Sequence, residues 1–463
     1  MTARSPQTQI NEQHEDGRGA VSVAGGSSLL LGARAVASAG YFVSVLLLAR
    51  GLNTADRGSV AFITMMALVI AAVSRFGVDD ATTVFAAQRH TQRPALLVNM
   101  LGVAAIGSLV FGGAACSVLF FAPGIRPAGV GAVQLAILLA GSVATSLEGG
   151  VLAFLLGCRR IRTQAFIIPV FPWLYASSIA LVWAIFGLSV TRAVLVWTSS
   201  QIFTAVLYIT VTLAIAGLGR PNWRLLRATV RFGVRVWAKG LAIFMNARID
   251  QVIMGLIASE ASLGIYAVAV NNGEIALYIP NAVGVALFPI IAATAADKRL
   301  ELTLRVARAL FLIVLASVAV AALGGSALIP VVFGHRYEAS VVPFLWLLPG
   351  ALGFSAMAVF GGALVASGSP GRSSLGPTAA LVVGIALDLV LIPPYGADGA
   401  AAAATIAFLV WGTVSTLLHW RFARYRIAEL TPRLSDIALV WGVVKRARRR
   451  VTSASPPVET NRT

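Results

Sequence analysis

Six ionisable side chains stand inside long apolar stretches of this 463-residue chain: Arg34, Glu148, Arg248, Asp250, Glu274 and Asp388. A charge within hydrocarbon is costly enough that each is a functional candidate by default. Their types decide which chemistry is open. A guanidinium grips phosphate or carboxylate through a bidentate fork. A carboxylate in low dielectric can exchange a proton as its surroundings change, which makes Asp250, Glu274, Glu148 and Asp388 candidate coupling groups. Glu274 follows Asn271-Asn272-Gly273, a run that must line water or protein rather than lipid. Arg248 and Asp250 lie two apart on one helix and cannot face each other, so each needs a partner elsewhere. An interhelical ion pair that only fixes packing is the competing reading for all six. No Ser-His-Asp, Cys-His or paired-carboxylate pattern accompanies them, so no catalytic residue is assigned and a membrane-embedded enzyme is not expected. His14, His90, His335, His419, Cys116 and Cys158 show no ligand spacing, so neither a metal nor a cofactor is expected.

The elements that position these groups follow from composition. The chain is 58% hydrophobic and 12% charged, against roughly a quarter charged in a soluble domain, and its mean hydropathy is +0.85. The net charge of +18 does not point to nucleic acid, because the basic residues fall in short loops rather than on one soluble face with aromatics. A ruler of about 20 apolar residues per crossing places spans near 27–49, 59–78, 96–121, 129–157, 164–187, 192–217, 240–258, 262–291, 304–333, 340–367, 375–394 and 399–420. Loop charge then orients them. One side receives only Arg50, Arg57, Arg126, Arg192 and Arg336. Arg34 and Arg248 lie within spans, and the rest of the 36 basic residues fall on the other side. That asymmetry puts both termini in the cytoplasm.

Residues 1–21 are polar and are expected to be disordered. Between Gly219 and Lys239, Arg224, Arg227, Arg231 and Arg235 recur at spacings of three and four with apolar residues between them, which reads as an amphipathic helix on the inner membrane surface. It divides the spans into an N-lobe (22–218) and a C-lobe (240–423). The halves echo each other: Gly51-Leu52 leads to Gly58 and Ala61 after the first span, and Gly255-Leu256 leads to Gly264 and Ala267 after the seventh. Parallel repeats of this kind place a site where the lobes meet. Pro280 and Pro289 are expected to kink the eighth span. The tail, 424–463, carries a short apolar segment at 436–444 followed by Lys445, Arg446, Arg448, Arg449 and Arg450. It reads either as a half-inserted anchor on anionic lipid or as a stop-transfer charge flank.

Several motifs, in their order and spacing, resemble the polysaccharide transporter (Wzx-type flippase) family: Ala49-Arg50-Gly51-Leu52 to Gly58, Arg231-Phe232-Gly233, Asp250-Gln251-Val252-Ile253-Met254, Gly264-Ile265-Tyr266-Ala267-Val268-Ala269, Pro289, Leu391-Ile392-Pro393, Gly396, and Gly399 through Thr405. The resemblance covers about residues 22–423 and extends to the multidrug/oligosaccharidyl-lipid/polysaccharide exporter superfamily. It implies an all-α membrane protein of about twelve spans, in two six-helix lobes forming a V-shaped central cavity. It implies movement of an undecaprenyl-pyrophosphate-linked oligosaccharide across a bacterial plasma membrane by alternating access, with a polysaccharide polymerase and glycosyltransferases as partners. Arg34 and Arg248 are the buried cations available for the pyrophosphate, with Asn271 and Asn272 in the same cavity. Family members often carry Asn where Asp388 stands here. A cation-coupled drug exporter of the same superfamily is the alternative within transport. A lipid II flippase would bring two further helices, and a membrane glycan polymerase would bring a long soluble loop.

Overall fold

The structure, a computed structural model, describes residues 29, 30, 32–433 and 436. The expected disorder of 1–21, the rest of the 436–444 segment and the cluster Lys445, Arg446, Arg448, Arg449 and Arg450 lie outside the described residues. Among the described residues there are helices and no strands. In chain order they are α1 (Gly32–Gly51), α2 (Thr54–Ser74), α3 (Val78–Gln88), α4 (Arg93–Phe121), α5 (Ala132–Gly157), α6 (Ile161–Ile167), α7 (Val170–Phe186), α8 (Val190–Ala216), α9 (Trp223–Asn246), α10 (Ile249–Ile257), α11 (Glu260–Gly273), α12 (Tyr278–Ala293), α13 (Ala296–Phe333), α14 (Val341–Leu347), α15 (Gly350–Ala356), α16 (Gly362–Ala366), α17 (Pro370–Ser373) and α18 (Leu375–Ala423).

Local sequence explains where these helices start. Asn53, Ser189 and Asn222 cap α2, α8 and α9, each accepting a backbone N–H three residues on, which satisfies donors the helix leaves orphaned. Asn222 is itself held by α4: Asn99 Nδ2 donates to its carbonyl at 2.9 Å, and its N–H donates to Asn99 Oδ1 at 3.2 Å.

Among the described residues ten helical stretches are long and apolar enough to cross a membrane, and α9 with α10 makes an eleventh as a pair bent by 58°. The stretch Pro370–Ala423 runs for 54 residues, over twice the length a bilayer needs. It is two crossings joined at Gly396 (φ 55°, ψ −123°). Gly399 lies against Leu391, Gly384 against Ala407 and Gly376 against Ser415, the pairing of an antiparallel hairpin. The twelve expected crossings are thus present with altered boundaries.

Three irregularities depart from the simple ruler. The second crossing stops at Ser74, because Phe76 (φ 48°) and Gly77 (φ 66°) are left-handed, and α3 continues from there. The amphipathic helix does not end near Lys239; it runs on to Asn246 and breaks at Arg248. In the eighth crossing the irregular turn is the 3-10 segment Glu274–Leu277, just ahead of Pro280. Pro280 has no N–H for the carbonyl of Ala276, so the ladder loosens there, whereas Pro289 sits inside α12.

The chain packs as two units, Met1–Val268 with Val332–Tyr337, and Ala269–Val331 with Glu338–Thr463. In the first, small residues let backbones meet, as expected where lipid supplies no hydrophobic drive between helices. Ser74 Oγ lies 2.8 Å from Ser108 Oγ and 3.3 Å from Ser146 Oγ, tying α2, α4 and α5. Gly58 and Gly264 bring α2 and α11 into reciprocal contact: a Cβ on Gly58 would enter the Glu260 carbonyl, and one on Gly264 the Thr54 carbonyl. In the second unit Gly353 and Gly412 do the same for α15 and the second arm of α18, and Thr405 Oγ1 donates to the Trp346 carbonyl at 2.5 Å. Large apolar side chains such as Phe121 (81% exposed) and Leu323 (81%) cover the surface, as a lipid-solvated bundle requires.

The α2–α11 crossing gives a direct test. Gly58→Val should destabilise the purified protein by about 1–3 kcal/mol or more, read as a lower melting temperature. Gly102→Ala is the control: nothing lies within 4 Å of a Cβ at Gly102, and its melting temperature should hold or rise slightly.

Candidate functional site

In the first unit the break between α9 and α10 presents Arg248. Its backbone (φ −140°, ψ −20°) is non-helical, and Asn246 Nδ2 bonds back to the Ala242 carbonyl at 2.7 Å, competing with the ladder where it fails. Irregular backbone within a span persists where it lines protein or water. Arg248 is partly exposed, and its Nη1 donates to the adjoining Ala247 carbonyl at 3.1 Å.

Tyr41 on α1 lies within electrostatic reach of both Arg248 and Glu148 of α5. Tyr208 of α8 lies within reach of Glu148 and Tyr41, and its hydroxyl donates to the Ile167 carbonyl at 2.5 Å. Tyr41 is thus within electrostatic reach of Arg248, Glu148 and Tyr208, the four groups coming from four elements. Tyr41 is 50% exposed, whereas Tyr208 is fully buried. Arg34 is exposed on α1, seven residues before Tyr41 and so on the same helix face.

Asp250 belongs to a different arrangement. It is 6% exposed, its Oδ1 accepts the Gln251 N–H at 2.7 Å, and its Oδ2 accepts the hydroxyl of Tyr266. The bond from Tyr266 ties α10 to α11. Arg75 Nε pairs with Asp79 at 3.0 Å across the α2–α3 break. The Arg75 guanidinium packs over Gly149, with Nη1 3.1 Å from where a Cβ would stand, next in sequence to Glu148.

The remaining expected residues are in the second unit. Asn271 is exposed, and Asn272 and Glu274 are partly exposed at the 3-10 turn. Asp388 is 2% exposed in the first arm of the hairpin. The eight expected residues therefore divide four and four between the units. Tyr41, Tyr208 and the Arg75–Asp79 pair were missing from the expected set. Tyr41 and Tyr208 carried a signal, since a hydroxyl within an apolar span needs a partner.

A further ionic contact lies in the second unit. Arg308 Nε donates to Asp436 Oδ2 at 2.7 Å and its Nη1 to the Glu429 carbonyl at 2.8 Å, with side chains only 7% and 3% exposed. They border a cavity of about 500 Å³ that also includes Asp297, Glu301, Arg305 and Arg433. Burial by itself would raise the Asp436 carboxyl. The hydrogen bonds from Arg308 and from the Arg433 N–H outweigh it and hold the group below its usual value. A depressed carboxylate contributes stability that is present above its ordinary pKa, roughly 3.9, and is lost as pH falls through the lowered value. The melting temperature of the wild type should therefore fall on acidification below that range more than that of Asp436→Asn. Arg308→Ala, which strands a buried carboxylate, should cost about 3–5 kcal/mol at neutral pH.

A profile of the family described as polysaccharide biosynthesis protein matches residues 47–342. A comparison with curated protein sequences returns no match. Among solved structures, an inward-facing multidrug resistance MATE family transporter of the MOP superfamily aligns with a TM-score of 0.66 at 15% identity, over 84% of this chain and 94% of that one. The lipid II flippase MurJ, in an inward closed conformation, aligns with a TM-score of 0.67 at 11% identity, over 91% and 92%. A MOP superfamily transporter from Pyrococcus furiosus, described as having a binding pocket of reversed polarity, aligns at 0.52 and 15%, over 87% and 95%. These identities establish a shared fold.

Proposed function

This chain belongs to the polysaccharide biosynthesis protein family, and we propose on that footing that it is a flippase for an undecaprenyl-pyrophosphate-linked oligosaccharide. It would work by alternating access between two six-helix lobes in a bacterial plasma membrane, with both termini in the cytoplasm. The observation that carries the reading lies at the broken seventh crossing: a guanidinium, Arg248, within electrostatic reach of Tyr41 in an apolar bundle. A pyrophosphate headgroup needs a desolvated cation that can make paired hydrogen bonds, and a guanidinium supplies both. Tyr41 adds a hydroxyl donor for phosphate or sugar. Arg34 extends the same face of α1 toward the α1 start. Asn271 and Asn272 offer amides for sugar hydroxyls, and Asp250, Glu274, Glu148 and Asp388 are the carboxylates through which an ion gradient could act. The polymer grows beyond the membrane in this scheme, so a polymerase and glycosyltransferases are its functional partners, and the basic tail cluster would meet anionic lipid.

The test is accumulation. Cells lacking the gene should build up lipid-linked oligosaccharide on the cytoplasmic leaflet and lose the surface glycan. Unchanged leaflet distribution in the deletion strain would reject the function.

A further inference from the structure

Five arginines stand at the end of the first unit where α1, α4 and α7 finish, and four of them are occupied. Arg336 Nη1 donates to the Leu52 carbonyl just past α1 at 3.0 Å. Arg126 Nη1 donates to the Leu119 carbonyl near the end of α4 at 3.2 Å. Arg192 Nη1 donates to the Phe186 carbonyl ending α7 at 2.6 Å, and Arg50 Nε to the Val332 carbonyl in the last turn of α13 at 2.9 Å. Each guanidinium caps the carbonyl end of a helix, where orphan acceptors and the macrodipole favour a cation. These four have a structural explanation.

Arg57 has none. It lies in the first turn of α2, the N–H end of a helix, where a cation is disfavoured. It is 5% exposed, and its Nε is enclosed without an acceptor. No hydrogen bond or ion pair holds its side chain among the described residues. Asp56, its neighbour in the chain, is engaged by Asn53 Nδ2 at 2.9 Å and by its own N–H to Asn53 Oδ1 at 2.7 Å. Within electrostatic reach of Arg57 are Tyr175 of α7 and Tyr337. Tyr175 is 5% exposed and its hydroxyl is also enclosed without a partner. Tyr337 is fully buried, and its hydroxyl has only a 3.5 Å contact to the Leu52 carbonyl.

A guanidinium and two phenols are rich in donors, and what the group lacks is an acceptor bearing negative charge. A buried, unpaired cation destabilises the protein that carries it, and such a cost at one position points to a state in which it is met. We propose that Arg57, with Tyr175 and Tyr337, forms an oxyanion site for a phosphate-type group, filled in a conformation that opens this end of the unit. On the flippase reading, on which the source of the anion rests, the group is the pyrophosphate of the substrate. The site is then a second phosphate station, separate from Arg248.

The experiment uses full-length protein in phosphatidylcholine nanodiscs, with undecaprenyl pyrophosphate and sodium pyrophosphate as probes, and reads both affinity and ligand-free melting temperature. Arg57→Gln should melt at or above the wild type, because it removes an unpaired buried charge, yet lose about tenfold or more in affinity, as expected for a charge-assisted contact. Arg57→Lys should retain part of the affinity, and Tyr175→Phe should lose about threefold. Binding of undecaprenyl pyrophosphate alone identifies the lipid substrate as the source; binding of both probes, each weakened by Arg57→Gln, identifies a general phosphate-type anion. Arg57→Gln with wild-type affinity and a lowered melting temperature would make the arginine structural and overturn the site. If Arg248→Ala loses undecaprenyl pyrophosphate while Arg57→Gln keeps it, the flippase reading stands and this site falls. If the wild type binds neither probe, both fall.

Discussion

Arg248→Ala is expected to abolish surface-glycan export in a strain that depends on this protein, while the variant still reaches the membrane in normal amount. Arg248 sits at the break between α9 and α10, with Tyr41 in electrostatic range. Removing it takes away the cation proposed for the headgroup. Truncating one member of a desolvated charged contact costs about 2–5 kcal/mol, roughly thirtyfold or more in affinity. Arg248→Lys should restore part of the activity, since the charge survives and the planar fork does not. That graded order separates a phosphate contact from a packing role. Equal activity of Arg248→Ala and the wild type would show that this arginine does not bind the headgroup.

The second large effect is expected at Asp250. Flipping a bulky anionic headgroup repeatedly needs a drive, and the sequence has no phosphate-binding loop of the P-loop type. Asp250 is buried and accepts hydrogen bonds from Tyr266 and from the Gln251 N–H. Protonation would cancel its charge and weaken what the Tyr266 hydroxyl donates to. That would loosen α10 from α11 and favour one conformation over another. The rival drive is the membrane potential acting on the headgroup, worth about 2.3 kcal/mol per charge per 100 mV. In vesicles with the potential clamped, collapsing the pH gradient should slow wild-type flipping by roughly tenfold, within the range of coupling free energies. Asp250→Asn should be slow and indifferent to the gradient. A wild type insensitive to the pH gradient, together with a normal Asp250→Asn, would leave the carboxylate a structural tie and the potential as the drive.

The helical class and the number of crossings were legible because apolar run length is a one-dimensional signal. The hairpin at Gly396 was legible for the same reason, since Pro393-Pro394-Tyr395-Gly396 interrupts the run. The break at Arg248 was not, because Asn246 and Arg248 read equally well as polar residues within a continuous span. Only the packing decides that the ladder fails there. Tyr41 escaped for a related reason: its hydroxyl signals that a partner is needed, but which groups it meets is decided only when α1, α5 and the α9–α10 junction come together. Arg57 was hidden by the loop-charge count itself. That count places it in a connection beside Arg50, whereas Asn53 caps α2 early enough to carry Arg57 into the buried first turn. Pro280 gave the approximate place of an irregularity but not its form, since a missing N–H loosens the turn before it.

The central claim is that this chain moves a lipid-linked oligosaccharide between leaflets. It is tested most directly by reconstituting the purified full-length protein in liposomes with undecaprenyl-pyrophosphate-linked oligosaccharide, imposing an ion gradient, and following the glycan's accessibility to an external glycosidase or lectin over time. The account predicts protein-dependent transfer of the glycan to the far leaflet, lost in Arg248→Ala and absent from protein-free vesicles. Leaflet distribution identical with and without protein, in vesicles where the same preparation exports a cationic drug against the gradient, would contradict it.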